Sequence, residues 1–302
     1  MRKYLYSIVF AALILMSTTV VKASNEVYYT NRENIEMTER EYNNLLGLGF
    51  TEKQIYRMDQ QTFLDNKDIE GTVLSEEGKY IKRTTYMRNG IKTYRTEEIT
   101  KEEAENEKRL QSQNPPFRGG PAGNYYDGAI ETNILFVKAK IIGLTNSYMR
   151  LMTLMEWYTM PSVNERYNDI IAIGFESSKV QRTSSIIFRE DWEDGDGEFG
   201  YNTVCAPKGE TNGGSAIFTL PDGSLAQLEA YIYFNIAKNE NVGTITELYS
   251  SGDYAHALNL VYASNLLSHY YVTSGLGITI DGTYANDYIS NSPAYASYIG
   301  SW

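Results

Sequence analysis

Residues 215–239 read SAIFTLPDGSLAQLEAYIYFNIAKN, and the fold class turns on how they alternate. Leu228, Ala230, Ile232, Phe234 and Ile236 fall on one face of an extended chain, with Glu229, Tyr231, Tyr233 and Asn235 on the other. That is the period of two that a β-strand imposes. Ahead of them stands Pro221-Asp222-Gly223, where proline pre-sets φ and glycine accepts the left-handed region, so the stretch predicts a β-hairpin. Working outward, TNILFVKAKIIGL (132–144), MRLMTLMEWYTM (149–160), NDIIAIGFESS (168–178) and TSSIIFRE (183–190) are runs of strand length. Short strands separated by Gly, Asn and Pro turns predict an antiparallel β-sandwich over residues 129–302. Residues 254–272 read two ways. Tyr254, His256, Leu258, Leu260 and Tyr262 alternate as a strand would, whereas the Ala and Leu content also permits a helix; the alternation favours strands.

The N-terminal third has a different pattern, and residues 24–113 are expected to form a small unit of helices and one β-hairpin. MTEREYNNLLGLGFTEKQIYRMDQQTFLDNK (37–67) predicts a helical hairpin. Thr38 with Glu41 and Thr51 with Gln54 have capping-box spacing, which satisfies two unpaired backbone donors at each helix start. Gly49 is placed to supply the left-handed residue that ends the first helix. Residues 79–99 read as a hairpin turned at Asn89-Gly90, a pair suited to the positive φ of a type I′ turn. TKEEAENEKRLQSQ (100–113) is a charged helix opened by a third capping box, Thr100 with Glu103, and it has only Ala104 and Leu110 to bury. Residues 114–128, NPPFRGGPAGNYYDG, carry three prolines and four glycines in one short run and predict a linker. The chain as a whole is thus α+β, mainly β.

Residues 1–23 read as a secretory signal peptide: Arg2 and Lys3, an apolar run from Ile8 to Val21, then Val21 and Ala23 at the small positions of a cleavage site after Ala23. The run falls short of the roughly 20 residues that span a bilayer, so no stable membrane insertion is expected after cleavage. Removing Arg2, Lys3 and Lys22, and no acid, takes the formal charge from −11 to −14. So acidic a chain is poorly suited to nucleic acid or anionic lipid. Cys205 is the one cysteine, so no internal disulfide can form. Export without disulfides is common in Gram-positive bacteria.

LMEWYTMPSVNERYNDIIAIGFE (154–176) resembles a segment of uncharacterised secreted proteins of Gram-positive bacteria: a Trp strand, a Met-Pro turn, then an Asp-Ile-Ile-Ala strand. The resemblance covers residues 125–302. It implies a secreted bacterial domain and brings no activity or site residues with it.

REDWEDGDGEFG (189–200) gathers Asp191, Glu193, Asp194, Asp196 and Glu198 around two glycines. A calcium site is one reading, because calcium takes six to eight oxygens; a solvated acidic loop is the other. EF-hand spacing fails, since a loop begun at Asp194 puts Phe199 where glycine is required. For catalysis, two histidines, His256 and His269, belong to no zinc motif, and Cys205 with His256 is the one thiol–base pair the residue types allow. Carboxylates paired in space for hydrolysis stay open. The surplus is tyrosine, 26 against 10 phenylalanines. Tyrosine suits half-buried strands, but Trp157, Tyr158 and Trp302 could also anchor a recognition surface.

The sequence thus favours a non-catalytic, exported or cell-surface protein that binds an extracellular protein or glycan, with no cofactor beyond possible calcium. A secreted hydrolase and a membrane-active toxin are the alternatives. Protein recovered from culture medium is expected to begin at Ser24; Edman sequencing checks this, and an intact Met1 in the membrane fraction contradicts it.

Overall fold

A computed structural model describes residues 26–89, 91–113, 128–161, 167–273, 277–290 and 293–302. The expected signal peptide with its cleavage site, Gly90 of the expected hairpin turn and residues 114–127 of the expected linker lie outside the described residues. The chain divides into two compact units. One comprises the described residues up to Leu46 with Thr51–Asp68, and the other comprises Gly47–Phe50 with Ile69–Trp302.

The first unit holds strands β1 (Tyr29–Thr30) and β2 (Glu36–Met37), then helices α1 (Glu39–Gly47), α2 (Glu52–Arg57) and α3 (Gln60–Asn66). Both capping boxes form. Thr38 N donates to Glu41 at 2.9 Å and Thr51 N to Gln54 Oε1 at 2.8 Å, while Glu41 N and Gln54 N donate back to the threonine hydroxyls. Gly49 takes φ +82° just after α1. The expected second arm is two helices, because Met58 is extended and the Asp59 carboxylate starts α3 afresh by accepting from Gln61 N and Thr62 N. Asn31 holds the unit together. Its Nδ2 donates to Ile55 O and Met58 O at 3.2 and 2.8 Å, and its Oδ1 accepts from Glu33 N and Ile35 N, both at 3.0 Å.

The second unit is the sandwich. Its strands begin with β3 (Thr72–Arg88), β4 (Ile91–Ile99), β5 (Gly128–Gly143), β6 (Tyr148–Thr159), β7 (Asn168–Phe175) and β8 (Val180–Arg182). They continue with β9 (Ile187–Asp194), β10 (Phe199–Asn202), β11 (Ala206–Glu210), β12 (Gly213–Thr219), β13 (Leu225–Lys238) and β14 (Glu247–Ala257). The last are β15 (Tyr270–Thr273), β16 (Gly277–Ile280), β17 (Tyr288–Ser290) and β18 (Ala294–Ile299), and helix α4 (Lys101–Gln113) and the short α5 (Ala263–Leu266) complete the unit. A large antiparallel sheet runs β10-β9-β13-β6-β5-β3-β4, with β8 also on β13. A smaller sheet runs β11-β12-β7-β14-β17, with β18 also on β14. Leu151, Met155, Ile171, Ile173, Ile232 and Phe234 fill the space between them.

Residues 215–239 do not form a hairpin. β12 pairs with β7 in the small sheet and β13 with β6 and β9 in the large one, so Pro221-Asp222-Gly223, with Gly223 at φ +94°, carries the chain from layer to layer. The alternation is as read. Ala216 and Phe218 nevertheless face the Leu228-to-Ile236 row across the interior rather than beside it. Apolar rows of this kind are buried equally well either way, so periodicity cannot separate the two. The 79–99 hairpin forms as expected, with Arg88 opposite Ile91 and Asn89 at φ +51°. Its first strand, however, also pairs along its length with β5 in the large sheet. Thr100 and Glu103 cap α4, whose Ala104 is buried and whose Leu110 is exposed. Residues 254–272 are strand as far as Ala257, then a loop, the single turn of α5, and β15.

Replacing Asn31 by Ala strands two buried carbonyls and two N–H groups, an expected loss of about 2–3 kcal/mol from the first unit. Accelerated amide exchange confined to the first unit measures it.

Candidate binding site

The residues that looked most catalytic lie between the sheets. Asp169 on β7 is fully buried, and three donors converge on it: Ala257 N at 2.9 Å, His256 Nδ1 at 3.0 Å and the Tyr254 hydroxyl. Trp157 Nε1, from the opposite sheet, donates to the Tyr254 hydroxyl at 3.1 Å, and its ring meets His256 edge-on. Glu190, also fully buried, completes the cluster. Burial pushes its pKa up to about 9, with Asp169 and Asp191 adding to the rise and Asn202 opposing it. The cluster has the chemistry of an active site and no access for a substrate. His256 touches Asp169, Tyr254 and Trp157 rather than Cys205. Burial raises the Cys205 thiol to about 11, so at neutral pH it is a thiol rather than the nucleophilic thiolate. His269 sits elsewhere, its Nδ1 2.7 Å from Asp281 Oδ2 and its ring against Tyr284.

The acidic loop is a β9–β10 turn whose carboxylates are divided among separate tasks. Asp191 is buried in an ion pair with Arg189 at 2.7 Å. Asp194 Oδ1 accepts from Asp196 N and Glu198 N at 2.9 and 2.8 Å, shaping the turn with Gly197 at φ +83°. Glu193 is half-buried, and Asp196 and Glu198 point into solvent. Among the described residues no three His, Cys, Asp or Glu side chains converge in a way that could hold a metal ion.

Nor do the three candidate anchors share a surface. Trp157, 2% exposed, lies in the core, and its neighbour Tyr158 points to the other face of β6, where it meets Tyr80 and lies under Lys108. Trp302, 8% exposed, packs on the main core with Lys238 over its ring. Much of the tyrosine surplus is packing of this kind: Tyr231 and Tyr233 receive the edge of Phe50 at 5.8 and 5.9 Å.

A concave site does form, on the outer face of the small sheet. One half of that face is covered by residues 261–273 and 277–288, which pack on Ile170, Ala172, Ala255 and Ala257. The half left open holds a pocket of about 390 Å³ lined by Phe175, Glu176, Tyr249, Ser250, Ser251 and Tyr295. Its floor is a cross-strand row, because Ser251 on β14 lies opposite Gly174 on β7 and opposite Tyr295 on β18. Gly174 is closely approached there: a Cβ would lie 2.4 Å from Ser251 Oγ and 2.8 Å from Thr273 O. Tyr249 stands at the rim, 42% exposed, its hydroxyl donating to Glu247. That bond, with the nearby Glu247 and Glu176 charges, raises its pKa. Glu176 Oε2 takes Lys179 Nζ at 2.9 Å. Ser251 Oγ is buried, and no protein group satisfies it.

Sequence reasoning passed over Tyr249, Ser251 and Glu176. The signal present was a glycine inside a strand, Gly174, which marks close approach.

No protein-family model and no curated protein matches the sequence. Among solved structures, the pilus backbone RrgB of Streptococcus pneumoniae is similar with 8% identity and TM-score 0.29, over 38% of this chain and 26% of that one. This chain therefore spans about a quarter of the RrgB chain's length. The collagen-binding domain of the Erysipelothrix rhusiopathiae surface protein RspB is similar with 8% identity and TM-score 0.26, over 57% and 66% of the two chains. The C-terminal domain of the Streptococcus pyogenes antigen I/II-family protein AspA has 8% identity and TM-score 0.27, over 61% and 82%. These weak similarities are to domains of Gram-positive surface and pilus proteins. Among the described residues no helix is long and apolar enough to cross a membrane.

The buried acid sets a pH dependence. Glu190 has a folded pKa of about 9 against an ordinary 4.5, so its penalty is absent below pH 4.5 and grows as pH rises to about 9. At pH 7 it amounts to about 3 kcal/mol. Glu190→Gln, which keeps the shape of the protonated acid, is expected to raise Tm at pH 8 and flatten its slope. Scanning fluorimetry from pH 5 to 9 measures this, and a wild-type Tm that climbs with pH contradicts it.

Proposed function

We propose that the chain is an exported or cell-surface binding protein, that the sandwich takes its extracellular ligand in the Tyr249–Tyr295 pocket, and that it performs no turnover. The observation that supports this is the contrast between the two polar sites. The groups capable of acid–base or nucleophilic chemistry lie between the sheets, with Asp169, His256 and Glu190 each at 1% exposure or less. The open site offers instead two tyrosine rings and hydroxyl groups on paired strands. Aromatic rings on a rigid frame supply contact area with little conformational entropy to lose, which is what a recognition site requires. The export reading comes from the N-terminal 23 residues.

The test compares wild type, Tyr249→Ala and Cys205→Ala for binding to immobilised extracellular-matrix proteins and to immobilised oligosaccharides. With melting temperatures intact, Cys205→Ala is expected to bind as wild type does, and Tyr249→Ala to bind at least tenfold more weakly. A hydrolytic turnover that disappears in Cys205→Ala while its fold is kept would make the protein an enzyme.

A further inference from the structure

We infer that the chain forms a two-fold dimer in which β4 runs antiparallel against the β4 of a second copy. Thr96 lies on the axis, and the two large sheets join edge to edge.

The argument begins with how the sheets end. On the far side of the large sheet, β10 and β8 are only four and three residues long. In the small sheet β11 holds Pro207 and Gly209 within five residues, and β17 has three residues. β18 gives Ser297 N to Ser75 Oγ of β3 at 3.1 Å. Shortness, proline and irregularity are the usual guards of a sheet edge. β4 shows none of these three. It ends the large sheet, runs nine residues without proline or glycine, and keeps an unbroken register with β3. Among the described residues no strand pairs with its other side. Helix α4 follows β4 in the chain but turns back over the body of the sheet. Lys82 of β3 pairs with Glu107, Gln111 Nε2 donates to Thr132 O of β5 at 2.9 Å, and Lys108 lies 4.9 Å from the Tyr158 ring of β6.

An exposed edge accepts any extended chain through its backbone, so side chains select the partner. Residues 93–99 read TYRTEEI, a run that complements itself. Laid antiparallel about Thr96, each copy sets Arg95 opposite Glu97, Tyr94 opposite Glu98 and Thr93 opposite Ile99, with Thr96 opposite Thr96. No like charges face each other in that register. Moving the axis by one residue sets Arg95 on Arg95 or Glu97 on Glu97, which is repulsive. Arg95 and Glu97 are 69% and 41% exposed and already lie 3.3 Å apart within one chain. Two copies therefore close a ring in which two guanidinium and two carboxylate groups alternate.

The backbone allows the same register. A two-fold axis through an antiparallel pair requires one residue to lie opposite its own copy. Arg88 and Ile91 close the hairpin as a hydrogen-bonded pair, so the alternation of the ladder directs the N–H and C=O groups of Thr96 and Glu98 away from β3. Thr96 thus exchanges main-chain hydrogen bonds with Thr96 of the other copy at the centre of the interface. The pairing closes on itself, so assembly through this edge stops at two copies.

Sedimentation equilibrium of the mature chain tests this. Wild type is expected to show a reversible monomer–dimer equilibrium that shifts toward monomer as salt rises. Arg95→Glu and Glu97→Arg are each expected to weaken the dimer at least tenfold with Tm unchanged. An equimolar mixture of these two variants is expected to dimerise again, because every facing pair then joins opposite charges. Thr96→Pro removes the N–H on the axis without touching the β3 ladder and is expected to leave a folded monomer. Wild type that stays monomeric at every concentration overturns the proposal. So does a dimer that both charge variants retain, or a mixture of the two that remains monomeric.

Discussion

Asp169 carries a carboxylate with no exposed surface into the space between two β-sheets, and much of the sandwich is arranged around satisfying it. An unpaired acid there would cost several kcal/mol, so donors must converge. They come from one neighbouring strand: Ala257 N, His256 Nδ1 and the Tyr254 hydroxyl, all on β14 or at its end. The register of β7 on β14 is thereby fixed by polar groups as well as by apolar ones. The Tyr254 hydroxyl in turn accepts from Trp157 on the facing sheet, so a chain of two hydrogen bonds ties one layer to the other. Buried polar groups that are fully met specify a single arrangement more sharply than apolar packing, which tolerates slippage.

What this fixes on the inside determines the outside. The same two strands carry the outer face, and their register places Gly174 opposite Ser251 at the far end of the pair. Asp253, on the outer face between these regions, accepts from Ile278 N at 2.8 Å and holds β16 against the sheet. Gly277, at φ +70°, gives it the space to do so. The covering residues therefore occupy the half of the face nearest Asp253 and leave Tyr249 exposed and Tyr295 half-buried. The pocket is a consequence of where the cover stops, and its walls belong to strands that cannot shift without breaking the interior network.

The local parts of this structure were legible in the sequence, because their causes are local. Three capping boxes, the left-handed Gly49 and the Asn89 turn each depend on residues within a few positions of one another. The alternation in β13 was legible for the same reason. Which sheet β12 joins was not, since its inward residues are buried whether it lies beside β13 or across from it. Trp157 illustrates a different limit. Indole suggests a recognition surface by composition, yet its Nε1 is committed to Tyr254, 97 residues away, and only that distant partner makes its burial affordable. The roles within the acidic turn were hidden in the same way, because Asp191 pairs with Arg189 and Asp194 accepts from its own turn's backbone. The pocket was least legible of all, being assembled from positions 174, 251 and 295 by pairing that no local pattern encodes.

Among the described residues, the buried polar atoms without a hydrogen-bond partner include those of Glu190, His256 Nε2 and Ser251 Oγ. Glu190 and the Nε2 atom of His256 lie between the sheets, where no ligand can reach them. Glu190 meets its cost by taking up a proton, which is why its pKa rises, and the consequence is a stability that depends on pH. Ser251 has no such route, because a hydroxyl does not titrate near neutrality, so the cost of its unpaired oxygen is the same across that pH range.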